Sequence, residues 1–191
     1  MAVPFTVQAP FGNWQDLKQE DGCEEASSLM LMRWVAGRSL TPAEAEREII
    51  AISDYEQKHY GDFRETSIQD TAERILGGYF KFDNFKVRRG IGAADIKTEL
   101  FKGRAVIVAV NGQKLFNPFY TPPGPRDHMI VIKGYDNATG EFITNDPGTK
   151  RGENFRYPEL TLQNALQDYP TGNHEPITET VGAMISVKLE L

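Results

Sequence analysis

Cysteine is almost missing from this chain: there is one residue in 191, Cys23. A single thiol excludes an internal disulfide and any paired-cysteine metal or redox motif, and leaves the redox compartment unreadable. Histidine is nearly as scarce, at three residues, and no two are spaced one helical turn apart. Neither a metal site nor a cofactor is therefore expected from spacing. There is no basic run, and the formal net charge is −6, which argues against a nucleic-acid partner. No stretch approaches the roughly 18 apolar residues that a membrane helix requires, and no internal repeat is visible. No leader pattern precedes Val3. That fits a cytoplasmic protein or a secreted one whose leader has been removed.

What is present is ordinary for a soluble globular chain, with 40% hydrophobic and 25% charged residues. Val3 to Trp14 is broken by Pro4, Pro10 and Gly12 and reads as extended. A helix is expected from Cys23, capped by Asp21 with Glu24 reaching back, its apolar positions Ala26, Leu29, Met30 and Trp34, and its stop Gly37. A second helix has Thr41 as cap, Pro42 at its first position and Glu44 completing a capping box, and ends near Gly61. A third is expected over Ser67 to Leu76, stopped by Gly77 and Gly78, and a fourth over Ala93 to Lys102. Strands are expected at Asn84 to Arg88, at the continuously apolar Arg104 to Val110, at His128 to Tyr135, at Glu141 to Asn145 and at Val181 to Leu189. A late helix is expected over Pro158 to Tyr169. Helices followed by hairpin-linked strands give an α+β plan. It reads as one unit over 1–191, with a helical lobe at about 15–102 and a sheet lobe at about 104–191.

The chemistry-bearing residues lie at the ends of these elements. Cys23 sits in the first turn of a helix, where free N–H groups and the helix dipole favour an anion such as a thiolate. His128 opens one strand and Asp146 closes its hairpin partner, so antiparallel pairing brings them close. Nucleophile, base and orienting carboxylate are thereby all present. The loop Leu115 to Asp127, rich in proline and aromatics, leads into His128, and Phe116, Phe119 and Tyr120 are candidates to wall a substrate pocket. His59 and His174 read as surface residues.

A helix opening on Cys, the stretch HMIVIKGYDNATGEFITNDP and the opening VPFTVQ together resemble the papain-like cysteine peptidases. The likeness is closest to the bacteriocin-processing (double-glycine) branch, family thirty-nine, and its relatives without a transporter domain. It covers the chain from Val3 to the last strand. The resemblance implies a papain-like fold, a polypeptide substrate and no cofactor, with Cys23 as nucleophile, His128 as general base, Asp146 as orienting carboxylate and Gln8 as oxyanion donor. Gln15 and Gln19 lie nearer the cysteine and remain candidates for the last role. Acyl transfer on the same triad, or peptide binding without turnover, are the alternatives within that fold. One departure bears on chemistry: Glu24-Glu25 follow the cysteine where the family commonly has glycine, and two carboxylates beside a thiol raise its pKa.

Overall fold

The protein is described by a computed structural model over residues 1–189. Its elements in chain order are α1 (Leu17–Glu20), α2 (Cys23–Val35), α3 (Pro42–Tyr60) and α4 (Ile68–Asp70, continuing as a wider π-type helix through Thr71–Tyr79). There follow β1 (Phe85–Arg89), α5 (Ala93–Phe101), β2 (Arg104–Val110), β3 (His128–Asp136), β4 (Glu141–Asn145), β5 (Glu153–Pro158), α6 (Glu159–Ala165) and β6 (Ala183–Lys188). Among the described residues the six strands form one sheet, in the order β1-β6-β2-β3-β4-β5, and every neighbouring pair is antiparallel.

The continuous apolar run of β2 has a simple cause. Successive strand side chains point to opposite faces, and both faces of β2 are covered. Ala105, Ile107 and Ala109 pack in one cluster with Met30 and Leu31 of α2. Val106, Val108 and Val110 pack in another with Ile96 of α5 and Leu162 of α6. On its far side α2 presents Ala26 and Leu29 to Ala45, Ile49 and Ile52 of α3. The mixed helical and antiparallel plan expected from the sequence is the one observed, with α5 and α6 added on the second face of the sheet.

Several boundaries differ from expectation for local reasons. The cap of α2 is Gly22, with no side-chain cap, and Asp21 instead closes α1 through its N–H to the Leu17 carbonyl. The Gly77-Gly78 pair does not stop α4. A Cβ at Gly78 would lie 3.0 Å from the Tyr55 hydroxyl and 3.2 Å from that of Tyr60, so glycine lets the aromatic residues of α3 approach the helix. Strand β5 was not expected. It is an edge strand in which Tyr157 is the one buried residue of six, and it follows a register shift at Asn145. The late helix is shorter than its apolar pattern suggests and ends at Ala165, because Leu166 bridges back to Val110.

Behind the start of α2 three carboxyls are buried together: Glu24, Glu25 and Glu56. Ser53 Oγ donates to Glu25 Oε1 at 2.7 Å, whereas neither oxygen of Glu56 has a hydrogen-bond partner among the described residues. Burial, reinforced by the charge of Glu24, pushes the Glu56 carboxyl up to about 9, and burial with the charges of Glu56 and Glu24 pushes Glu25 well up. A carboxyl raised in the folded state holds its proton better folded than unfolded. Its contribution is therefore full below about pH 4.5 and is lost as pH rises through about 9. The free energy of unfolding by urea should fall steadily between those limits. Glu56→Gln should remove up to one proton's worth of that slope, about 1.4 kcal/mol per pH unit. An unchanged slope in the variant would mean that Glu56 ionises freely in the folded protein.

Candidate active site

Asp146 is fully buried at the end of β4 and is held by five donors. His128 Nε2 and the Gly148 N–H reach Oδ1 at 2.9 and 3.0 Å. The hydroxyls of Tyr120 and Tyr157 each donate to Oδ2 at 2.5 Å, and Asn117 Nδ2 stands at 3.4 Å. Burial alone would raise this carboxyl. The charge of His128 and the hydrogen bonds from His128, Tyr120 and Tyr157 outweigh burial and hold it below the usual carboxylate range. An ionised Asp146 accepts only, so Nε2 carries the proton in this pair and Nδ1 is the ring atom left for other chemistry.

The pairing follows from the hairpin. Val131 stands opposite Asn145 across β3 and β4, so His128 and Asp146 meet where the hairpin opens away from its turn. The chain then passes Pro147 and turns close over the imidazole. A Cβ at Gly148 would lie 3.0 Å from His128 Cε1 and 3.0 Å from the Tyr120 ring, which restricts that position to glycine. Tyr120 also meets the His128 ring edge-on, with centroids 5.7 Å apart.

Cys23 begins α2 and lines a cavity of about 690 Å³ together with Gln8, Glu24, Phe119, Tyr120 and His128. Its thiol donates to Glu24 Oε2 at 3.0 Å, and the Tyr169 hydroxyl donates to Glu24 Oε1 at 2.6 Å. Burial, then the adjacent Glu24 charge, pushes the thiol well above its ordinary value, against the opposing hydrogen bond from the Met129 backbone. Burial pushes Glu24 itself up to about 7. In this arrangement the thiol is neutral and its hydrogen-bond partner is Glu24.

Gln8 reaches the same cavity. Its backbone N–H donates to the Pro147 carbonyl at 3.0 Å, and its Nε2 donates to the Glu20 carbonyl. Gln15 is exposed and Gln19 is buried, with its Nε2 3.2 Å from Asp16 Oδ2; neither lines the cavity. Phe119 and Tyr120 are on the cavity wall, but Phe116 is 81% exposed and lies outside it. Phe116 has φ 53°, a left-handed turn that throws its ring outward before the loop doubles back.

Three contributors were not read from the sequence. Tyr157 and Asn117 anchor Asp146 from β5 and the loop, and Tyr169, between α6 and β6, holds Glu24. Their only sequence signal is a polar aromatic or amide in an apolar setting, which many exposed residues share. Tyr157 donates to a buried charge and is 1% exposed. Tyr157→Phe should therefore destabilise the protein by about 1.5–3 kcal/mol in urea denaturation, the range for a hydrogen bond to a charged group. A change of only a few tenths would mean the other donors already satisfy Asp146.

The sequence model of the family described as Peptidase_C39 like matches residues 1–173. Among solved structures the chain is similar to a candidate C39-like peptidase from Bacillus anthracis. The identity is 15%, the TM-score is 0.60, and the match covers 98% of this chain and 95% of that one. Comparison with curated proteins gives no match.

Proposed function

The chain belongs to the Peptidase_C39 like family, and on that footing we propose that it is a cysteine peptidase hydrolysing peptide bonds through Cys23, His128 and Asp146. The observation that carries this reading is the buried His128–Asp146 contact of 2.9 Å on the wall of the cavity that Cys23 also lines. In the proposed reaction His128 Nδ1 takes the thiol proton as Sγ bonds to the substrate carbonyl carbon. The developing oxyanion is met by the Cys23 backbone N–H and by the Gln8 amide, which has one N–H left after its bond to Glu20. The imidazolium then protonates the leaving amine as the C–N bond breaks. Water attacks the thioester, passing its proton through His128, and the thiol is restored. Asp146 keeps the ring in the tautomer this sequence needs. Phe119 and Tyr120 form the apolar side of the substrate cleft.

Glu24 is what distinguishes this centre. Below about pH 7 it is protonated and opposes the thiolate little, whereas above that value its charge works against thiolate formation. The same contact favours a second reading, a module of this fold that binds peptides without turnover. The two readings part on Cys23→Ala, tested on an unfolded protein substrate by mass spectrometry. A peptidase should lose at least about 1000-fold in activity with its fold intact, while a binding module has no turnover to lose.

The thiol can also be read directly, because the single cysteine gives one mass shift on alkylation. Iodoacetamide modification should have a midpoint above the ordinary thiol value of about 8.5. Glu24→Gln removes the repelling charge and should lower that midpoint by at least about one unit. A midpoint that does not move would mean that burial alone sets the thiol.

A further inference from the structure

On the wall of the same cavity three ligating side chains from distant parts of the chain converge. Glu65 lies in the loop before α4, Asp127 directly precedes β3, and His174 lies between α6 and β6. One ligand atom from each lies within 4.8 Å of the others. All three residues line the cavity. His174 Nδ1 is 2.6 Å from Glu65 Oε1, and the His174 backbone N–H donates to Glu65 Oε2.

Asp127 is the member that points to a ligand. Its side chain is only 3% exposed, and its nearest cation is Arg126, with Nε 3.5 Å from Oδ2. Its Oδ1 has no hydrogen-bond partner among the described residues. A buried carboxylate oxygen without a donor costs free energy, and such atoms are uncommon in folded proteins. Arg126 does not relieve it, because its Nη2 is turned to the Glu175 carbonyl at 3.0 Å. Here a carboxylate with one unsatisfied oxygen, a second carboxylate and an imidazole nitrogen come within 4.8 Å of one another.

We propose that Glu65, Asp127 and His174 form a binding site for a divalent metal ion of the zinc class, with its remaining coordination position open to the cavity. One imidazole and two carboxylates are ligands zinc accepts, at bonds of about 2.0–2.2 Å. The ion takes the place of the proton that His174 Nδ1 shares with Glu65 Oε1. That proton goes to solvent, both atoms become ligands, and Asp127 supplies the third. Binding is therefore weaker at low pH. A substrate ammonium group could also use the two carboxylates, but one imidazole with two carboxylates is a set that zinc accepts directly, which is why a metal fits it better.

The test is isothermal titration of Zn²⁺ alone into the full chain carrying Cys23→Ser, so that the thiol cannot compete. One equivalent should bind with a Kd of about micromolar order. At a hundredfold excess over Kd, the Tm should rise by about 5 °C or more. His174→Ala and Asp127→Asn should each weaken binding at least tenfold, and His59→Ala should leave it unchanged. The His174 side chain is 69% exposed, so its removal leaves the core alone. The metal-free Tm of Asp127→Asn checks that this variant is folded. Binding no tighter than about millimolar, or binding that survives either ligand substitution, overturns the proposal. No step of this measurement reads peptide cleavage, so its failure leaves the peptidase reading untouched.

Discussion

A buried charge must be met by donors wherever it sits, and at Asp146 that constraint organises half of the molecule. The carboxylate draws His128 from β3, Tyr157 from β5, and Asn117 and Tyr120 from the loop between β2 and β3. Breaking a buried ionic contact by removing one partner costs several kcal/mol, so the strands and the loop are tied to one geometry. The cavity wall formed by Phe119 and Tyr120 is a consequence of that tie. The loop is held as well by the edge-on contact of Phe119 with Phe155 and by Arg151 over the Phe119 ring.

The opposite regime holds about Cys23. Asp146 is ionised because donors surround it, whereas Glu24, Glu25 and Glu56 are pushed up because burial outruns the donors they have. Carboxyls that keep their protons can pack in a helical interface at tolerable cost, and that is how α2 and α3 accommodate three of them. The price falls on the thiol. The helix start would favour a thiolate, but the first acidic neighbour works against it at 3.0 Å.

Much of this was legible because it is local. The capping box at Thr41 and Glu44 and the apolar run of β2 are written in adjacent residues, and both were found as expected. The nearness of His128 to Asp146 followed from hairpin arithmetic, since antiparallel pairing fixes which residues meet. What depends on tertiary context leaves no such local signal. Asp21 does not cap α2 because it closes α1, and β5 leaves little signal because its alternation is only Phe155 and Tyr157 between Asn154, Arg156 and Pro158. Phe116 reads like its aromatic neighbours, and only a left-handed φ sends it to solvent. Glu65, Asp127 and His174 are 62, 47 and 109 positions apart in the pairings they make, so no motif could join them.

Family membership and reactivity therefore rest on different residues. The fold needs the α2–β2 packing and the hydrogen-bonded Asp146, and these would survive if Cys23 were inert. In the proposed peptidase, reactivity would turn in part on whether Glu24 is charged while a peptide lies in the cavity. Closing the cleft over a substrate removes water and strengthens every electrostatic interaction inside it. That raises the cost of an ionised Glu24 beside Cys23 and favours its protonated form. A substrate that excludes water would thus weaken one of the two obstacles, the Glu24 charge, while adding to the other, the burial that already pushes the thiol up.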